Sequence, residues 1–313
     1  MKKNWRTTAV LAAVLVSCMA GAICALEPLD RLRANAPMEE ALYIPSPAVL
    51  KGLSLGYSGL MADIYWTRAV QYFGVHHYNN ALRYDLLYPL LDITTRLDPH
   101  LLVAYQFGGI FLSQKPPEGA GQPDKAIELV EHGIRENPDN WKLYYSLGFI
   151  YYDMEAYQDA SKVFARGSAV PGANPALAVL AASTAEKGGS PETARLLWSK
   201  LYESSVNEQI RNNARQHLVA LEIDEEVPKL QQLVHTYTER TGRVPSNFDE
   251  MVAAGWLRSL PVDPMGQPYR LMPDGRVEVQ SPERNRYIHH GLPGEPAASN
   301  SVQDGLNPQV SAP

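Results

Sequence analysis

Cysteine is nearly absent: the 313-residue chain has two, Cys18 and Cys24, both within the first 26 residues. Everything after Leu26 is therefore without a disulfide, a thiolate nucleophile or a cysteine-based metal site, and has to be held by packing. A dense Lys/Arg patch is lacking as well. With a formal net charge of −6 and no long basic run beyond the N-terminus, the chain does not fit nucleic-acid binding driven by counterion displacement. Also missing are GxxxxGK(S/T), HExxH, CxxC and CxxCH, the short motifs with a strong mechanism. Gly56-Tyr57-Ser58-Gly59 lacks the second glycine of a nucleophile elbow and has no strand before it, so it reads as a helix start. Histidine clusters only as His76-His77 and His289-His290, and adjacent helical positions diverge by about 100°, too far for ready chelation. No catalytic residue, metal or cofactor is expected.

What is present begins with Lys2, Lys3 and Arg6, followed by an apolar run from Ala9 to Leu26 interrupted only by Ser17. This is the pattern of an export signal or anchor. At 1.5 Å per residue the run spans roughly 27 Å, just short of a hydrocarbon core of about 30 Å. Three fates stay open: an uncut transmembrane anchor, cleavage after the small residues Ala20-Gly21-Ala22 or Ala25, or a lipoprotein. The last follows from Leu15-Val16-Ser17-Cys18, which looks like a lipobox with Cys18 lipidated. In each case the basic flank stays inside, and the rest is expected in the bacterial envelope, on the periplasmic side of the inner membrane.

Residues 27–58 hold Pro28, Pro37, Pro45 and Pro47 and read as a spacer with the start of a first helix. From 59 to 223 the period becomes helical and repeats. In the clearest unit, Trp141 to Asn174, a first helix carries Tyr144, Leu147-Gly148 and Tyr151, and a second carries Ala160 and Phe164. Gly148 and Ala160 are small where two antiparallel helices would touch, and the aromatics fill the space around them. Thirty-four residues on, Ala181, Ala182, Ala185, Ala194 and Trp198 repeat the pattern around Gly188-Gly189-Ser190, with Ser190 as N-cap and Pro191 in the first turn. Upstream lie Phe107-Gly108 and Phe111, then Ala126, Val130 and Gly133, separated by an insertion, 113–123, that contains Pro116-Pro117-Glu118-Gly119. A divergent pair, 59–75 and 81–97, precedes them, and an amphipathic stretch, 207–223, would cap the array.

These units resemble the tetratricopeptide-repeat family. The resemblance implies a mainly α fold, an α-solenoid of antiparallel helix pairs, and a concave groove that binds a protein or peptide. By pattern position the groove would be lined by Leu102, Tyr105 and Leu112, then Lys142, Tyr145, Phe149, Tyr152 and Asp153, then Val179, Ser183, Glu186 and Lys187. Its middle is aromatic, as interface anchors tend to be. The open alternative is that the chain fills this groove from within.

Residues 225–288 change in character. A helix over 230–241 ends at Gly242, a short helix follows near 247–254, and 269–272 and 276–280 alternate around Pro273-Asp274-Gly275, a hairpin signal. The run "TGRVPSNFDEMVAAGWL…LPVDPMGQPYRL…DGRVEV" is similar to the C-terminal part of type II secretion pseudopilins, although the pilin-type N-terminal motif is missing and Met265 replaces their usual Trp. The resemblance implies a small α+β module, with Asp249, Glu250, Asp263 and Asp274 able to offer oxygens to calcium; the plainer reading is that Asp263 caps a turn before proline. Residues 289–313, rich in Gly, Pro, Ser and Asn, read as a disordered tail. The functional expectation is a non-enzymatic interaction scaffold serving an assembly, secretion or pilus-type apparatus. The alternatives are a purely structural envelope protein and an enzyme with its activity in the C-terminal module.

Overall fold

The computed structural model describes residues 46–294, together with Ala13, Val14, Val16, Ser17 and Ala20, each in helical conformation. Most of the predicted segment 9–26 and of the spacer, and the predicted tail from 295, thus lie outside the described residues. Among the described residues no helix is long and apolar enough to cross a membrane.

Eleven α-helices run through the described chain: α1 (Pro47–Leu53), α2 (Ser58–Tyr78), α3 (Leu87–Leu97), α4 (Leu102–Ser113), α5 (Pro123–Glu136), α6 (Trp141–Asp153), α7 (Tyr157–Ser168), α8 (Ala176–Lys187), α9 (Pro191–Ser204), α10 (Glu208–Thr241) and α11 (Phe248–Ala253). From α2 to α9 they pack as consecutive pairs, and each later pair also rests on its predecessor. Local chemistry sets the ends. Pro123 and Pro191 open α5 and α9, where a missing N–H loses nothing. The side chains of Asn140, Asn207 and Asn247 accept from backbone N–H groups at the starts of α6, α10 and α11. Ser190 occupies the cap position of α9, but its side chain makes no capping bond.

Small residues let the helices approach. A Cβ on Gly148 would lie 2.3 Å from the ring of Phe164, itself wholly buried. One on Gly133 would lie 2.8 Å from the ring of Tyr105, and one on Gly167 would lie 2.6 Å from Leu177 and Tyr144. The second helix of the first pair starts at Leu87 rather than near residue 81. Pro89 supplies no N–H and fits only within a helix's first turn, which fixes the start just ahead of it.

The predicted break between array and C-terminal module is also absent. Residues 208–241 form one helix, about 50 Å long at 1.5 Å per residue, with Pro228 inside it. Its first half packs Ala214 and Leu221 against Ala194 and Trp198, closing the array. Its second half carries Val227, Val234 and Tyr237 into a separate core with Phe248, Met251, Tyr269 and Val277. Burial on both sides of Pro228 keeps the helix continuous through the lost hydrogen bond. In that module β1 (Arg270–Leu271) pairs antiparallel with β2 (Val277–Glu278), Arg270 opposite Glu278 and Leu271 opposite Val277.

The predicted tail starts too early. Asp224 accepts from the backbone N–H groups of His289 and His290, and Val279 N donates to Gly291 O, so 289–291 are bound to α10 and β2's continuation.

Candidate functional site: an aromatic trough along α6

The first helices α4, α6 and α8 of three successive pairs border a hollow of about 410 Å³ whose walls include Phe107, Ile110, Trp141, Lys142, Tyr145 and Leu177. The hollow is open. Phe107 is 47% exposed, Ile110 43% and Tyr145 41%, values far above those of the core aromatics beside them. A second hollow of about 190 Å³ shares Ile110, Tyr145 and Ser146 with the first and adds Phe149, Ile150 and Asp153. A third, of about 850 Å³, shares Ser113, Gln114, Ile150 and Asp153 and ends on the inserted loop at Lys115 and Glu118 and on Glu155. Together they form one trough following α6 from Trp141 to Asp153.

Its aromatics support one another. Tyr145 and Phe149 have ring centroids 4.7 Å apart, and Phe149 meets the buried Phe164 edge to face at 5.3 Å. Tyr152 lies at the far end, its OH accepting from Lys187 Nζ at 2.7 Å. The Lys187 ammonium also sits 4.4 Å from the Tyr152 ring centroid and 4.6 Å from that of Tyr157. The hydrogen bond to Tyr152 and that to Tyr157 raise its pKa.

The loop 114–122 is fixed, not loose. Gly119, Ala120, Gly121 and Gln122 donate backbone hydrogen bonds to Lys115, Phe111, Gln114 and Leu112, and Tyr84 OH donates to Pro117 O at 2.7 Å.

Of the residues expected in the groove, Lys142, Tyr145, Phe149 and Asp153 line the trough, with Tyr152 and Lys187 near its end. Leu102, Val179 and Ser183 are half-buried and do not line it. Three expectations need correction. Tyr105 and Leu112 are wholly buried. Both Gly108 and Gly109 are close-contact positions on α4: a Cβ on the first would meet Leu91 and Leu129, and on the second Val130 and Ile150. That packing turns Gln106, Phe107 and Ile110 to the trough in place of Tyr105 and Leu112. Glu186 points inward, its Oε2 accepting from His217 Nδ1 at 2.9 Å and Trp198 Nε1 at 3.1 Å. Burial would raise its pKa, but the hydrogen bond and field of His217 and the bond from Trp198 outweigh this and lower it.

Spacing missed Phe107, Ile110, Trp141, Asn174 and Leu177. Phe107 stands at the place of Leu147, just before the small residue of its pair, yet the contacts of both Gly108 and Gly109 turn it outward.

Three of the four carboxylates singled out in the C-terminal module have other partners. Asp263 Oδ1 accepts from Met265 N and Gln267 N, the turn-capping role. Its Oδ2 is buried without a hydrogen bond. Glu250 is held by Arg243, Ser246 N and Tyr237 OH, which bring its pKa down to about 2. Asp274 pairs with Arg276. Among the described residues no group of three or more His, Cys, Asp or Glu is arranged to hold a metal ion.

Residues 119–184 match the tetratricopeptide repeat family model. The match runs from the inserted loop through most of α8 and so contains α6, the spine of the trough. Such repeats generally mediate protein–protein interaction. No curated protein matches the chain.

Proposed function

We propose that the chain is a non-enzymatic interaction scaffold that holds a peptide segment of a partner protein in the trough along α6. The observation that carries this reading is the exposure of Phe107, Ile110 and Tyr145 around one hollow. Large apolar groups left in water are unfavourable by about 25 cal/mol for each Å² of apolar surface, and a partner relieves that. Among the described residues nothing fills the trough over these three side chains.

The scaffold acts in the bacterial envelope, held at the inner membrane by residues 9–26, and serves an assembly, secretion or pilus-type apparatus. Support for export is the Lys2/Lys3/Arg6 flank followed by the apolar run. Support for the apparatus is the pseudopilin-like run in 225–288.

The test has two arms. Full-length protein is crosslinked in cells and its partners are compared with those of Tyr145→Ala and Ile110→Ala. Loss of the same envelope proteins from both variants, with folding intact, is the expected result; an unchanged partner set sinks the trough as the site. Protease added to spheroplasts should digest the repeat array. Full protection there sinks the envelope placement.

A further inference from the structure

The two ends of the trough differ in chemistry. At the Trp141 end it is apolar, walled by Phe107, Ile110, Tyr145 and Leu177. At the other end Glu118, Asp153 and Glu155 line the largest of the three hollows, with Lys115 as the only ammonium among its walls. None of the three carboxylates has an ion pair or side-chain hydrogen bond among the described residues. Each springs from a structured backbone. Glu118 sits on the pinned loop, Asp153 ends α6, and Glu155 lies in the α6–α7 turn.

Glu155 is unusual there. Its φ of 61° is left-handed, a region that L side chains avoid. Thirty-four residues on, the equivalent α8–α9 turn uses Gly189 at φ 67°. The first turn thus holds a carboxylate where the repeat geometry asks for glycine.

Taking the trough as a peptide site, we infer that it selects a short segment pairing one bulky apolar side chain with a cationic one. The apolar anchor enters between Phe107, Ile110 and Tyr145, and the cation reaches Glu118, Asp153 and Glu155. From Trp141 to Asp153 the trough is about 18 Å long, which an extended segment of five or six residues fills. Tyr145 and Asp153 lie about 12 Å apart along α6, so the cation stands three or four residues from the anchor. A bound lysine or arginine brings opposite charge to a hollow walled by three carboxylates and one ammonium, and an acidic segment brings like charge.

The test uses full-length protein in detergent and fluorescein-labelled hexapeptides with one Trp anchor. Two positions three and four residues away are Lys, Gln or Glu. Fluorescence anisotropy at low salt should give about fivefold or tighter binding for the Lys peptide than for the Gln peptide, with the Glu peptide weakest. The advantage should shrink as salt rises. In the combined variant Glu118→Gln, Asp153→Asn, Glu155→Gly the Lys and Gln peptides should bind equally, whatever their common affinity. Glu155→Gly alone should weaken the Lys preference yet raise Tm, a pairing that a structural role for Glu155 would not give.

Equal binding of Lys and Gln peptides, or preference for Glu, overturns the charge selection and leaves the trough standing as a peptide site. If no peptide binds and Tyr145→Ala changes nothing, the trough reading falls and the selection with it. Concentration-dependent dimers dissolved by Tyr145→Ala would make the occupant a second copy of this chain, and would also overturn the inference.

Discussion

Trp198 and His217 lie face to face, their ring centroids 4.1 Å apart and their planes 8° from parallel. Tyr287 stacks on the other side of the His217 ring at 3.8 Å, so α9, α10 and the segment after β2 meet in one column of rings. Asn285 Nδ2 donates to Gln216 O beside it, tying the same segment to α10. Trp198 is wholly buried. Truncating a buried Trp to Ala removes its packing and leaves a cavity, at a cost of about 3–5 kcal/mol. Trp198→Ala should lower the unfolding free energy by that amount in urea titration; a loss below about 1 kcal/mol would mean the column is not part of the core.

Glu186 makes that column sensitive to acid. Its carboxyl is held below its ordinary 4.5, so the unfolded chain binds the proton more readily than the folded one. The stabilisation is fully present above the unfolded pKa and is lost as pH falls through the folded one. Tm of the wild type should therefore drop as pH goes from about 5 to 3, and Glu186→Gln should show a flatter acid limb with a lower Tm at pH 7. Parallel curves for the two proteins would show that the His217 and Trp198 contacts do not stabilise the charged carboxylate.

The sequence made the helix pairs legible because the residues that define them act locally. Gly148 and Phe164, or Ala194 and Trp198, report a helix contact through size alone, and the equivalent positions recur at a fixed spacing. Rotation of a helix within its pair is different. It depends on which neighbours a helix touches, and the face of α4 is set by the tertiary contacts at both Gly108 and Gly109. Continuity of α10 was hidden for a similar reason: Pro228 signals a break locally, and the packing on both sides that overrides it is tertiary. Glu186 looked like a groove residue because its partners, Trp198 and His217, come from two later helices.

Gly148 is the tightest of these helix contacts. An added Cβ would stand 2.3–2.7 Å from three atoms of the Phe164 ring, which is wholly buried. Gly→Ala in a helix normally gains up to about 1 kcal/mol of propensity. Here overpacking should outweigh that gain, for a net loss of about 1–3 kcal/mol. Adding Phe164→Leu should restore part of the loss, a coupling visible in a double-mutant cycle. An additive double mutant would show that the two side chains do not meet.

Tyr105 and Tyr145 separate folding from binding within one fold. Tyr105 is wholly buried, its ring against Gly133 and edge-on to His132 at 5.8 Å, and burial comes first among the causes that push its phenol pKa up. Tyr145 is 41% exposed above the trough. Tyr105→Ala should cost about 3–5 kcal/mol of stability, as large core truncations do, while Tyr145→Ala should stay within about 1 kcal/mol of wild type. Binding of the Trp-anchored peptide should follow the opposite order. Tyr145→Ala should weaken it about tenfold or more at unchanged fold, since a central aromatic anchor carries a disproportionate share of interface energy. Anisotropy and urea titration on the same two preparations decide the matter: if Tyr145→Ala unfolds the array, or if it folds and binds as tightly as wild type, the residue is core and not anchor.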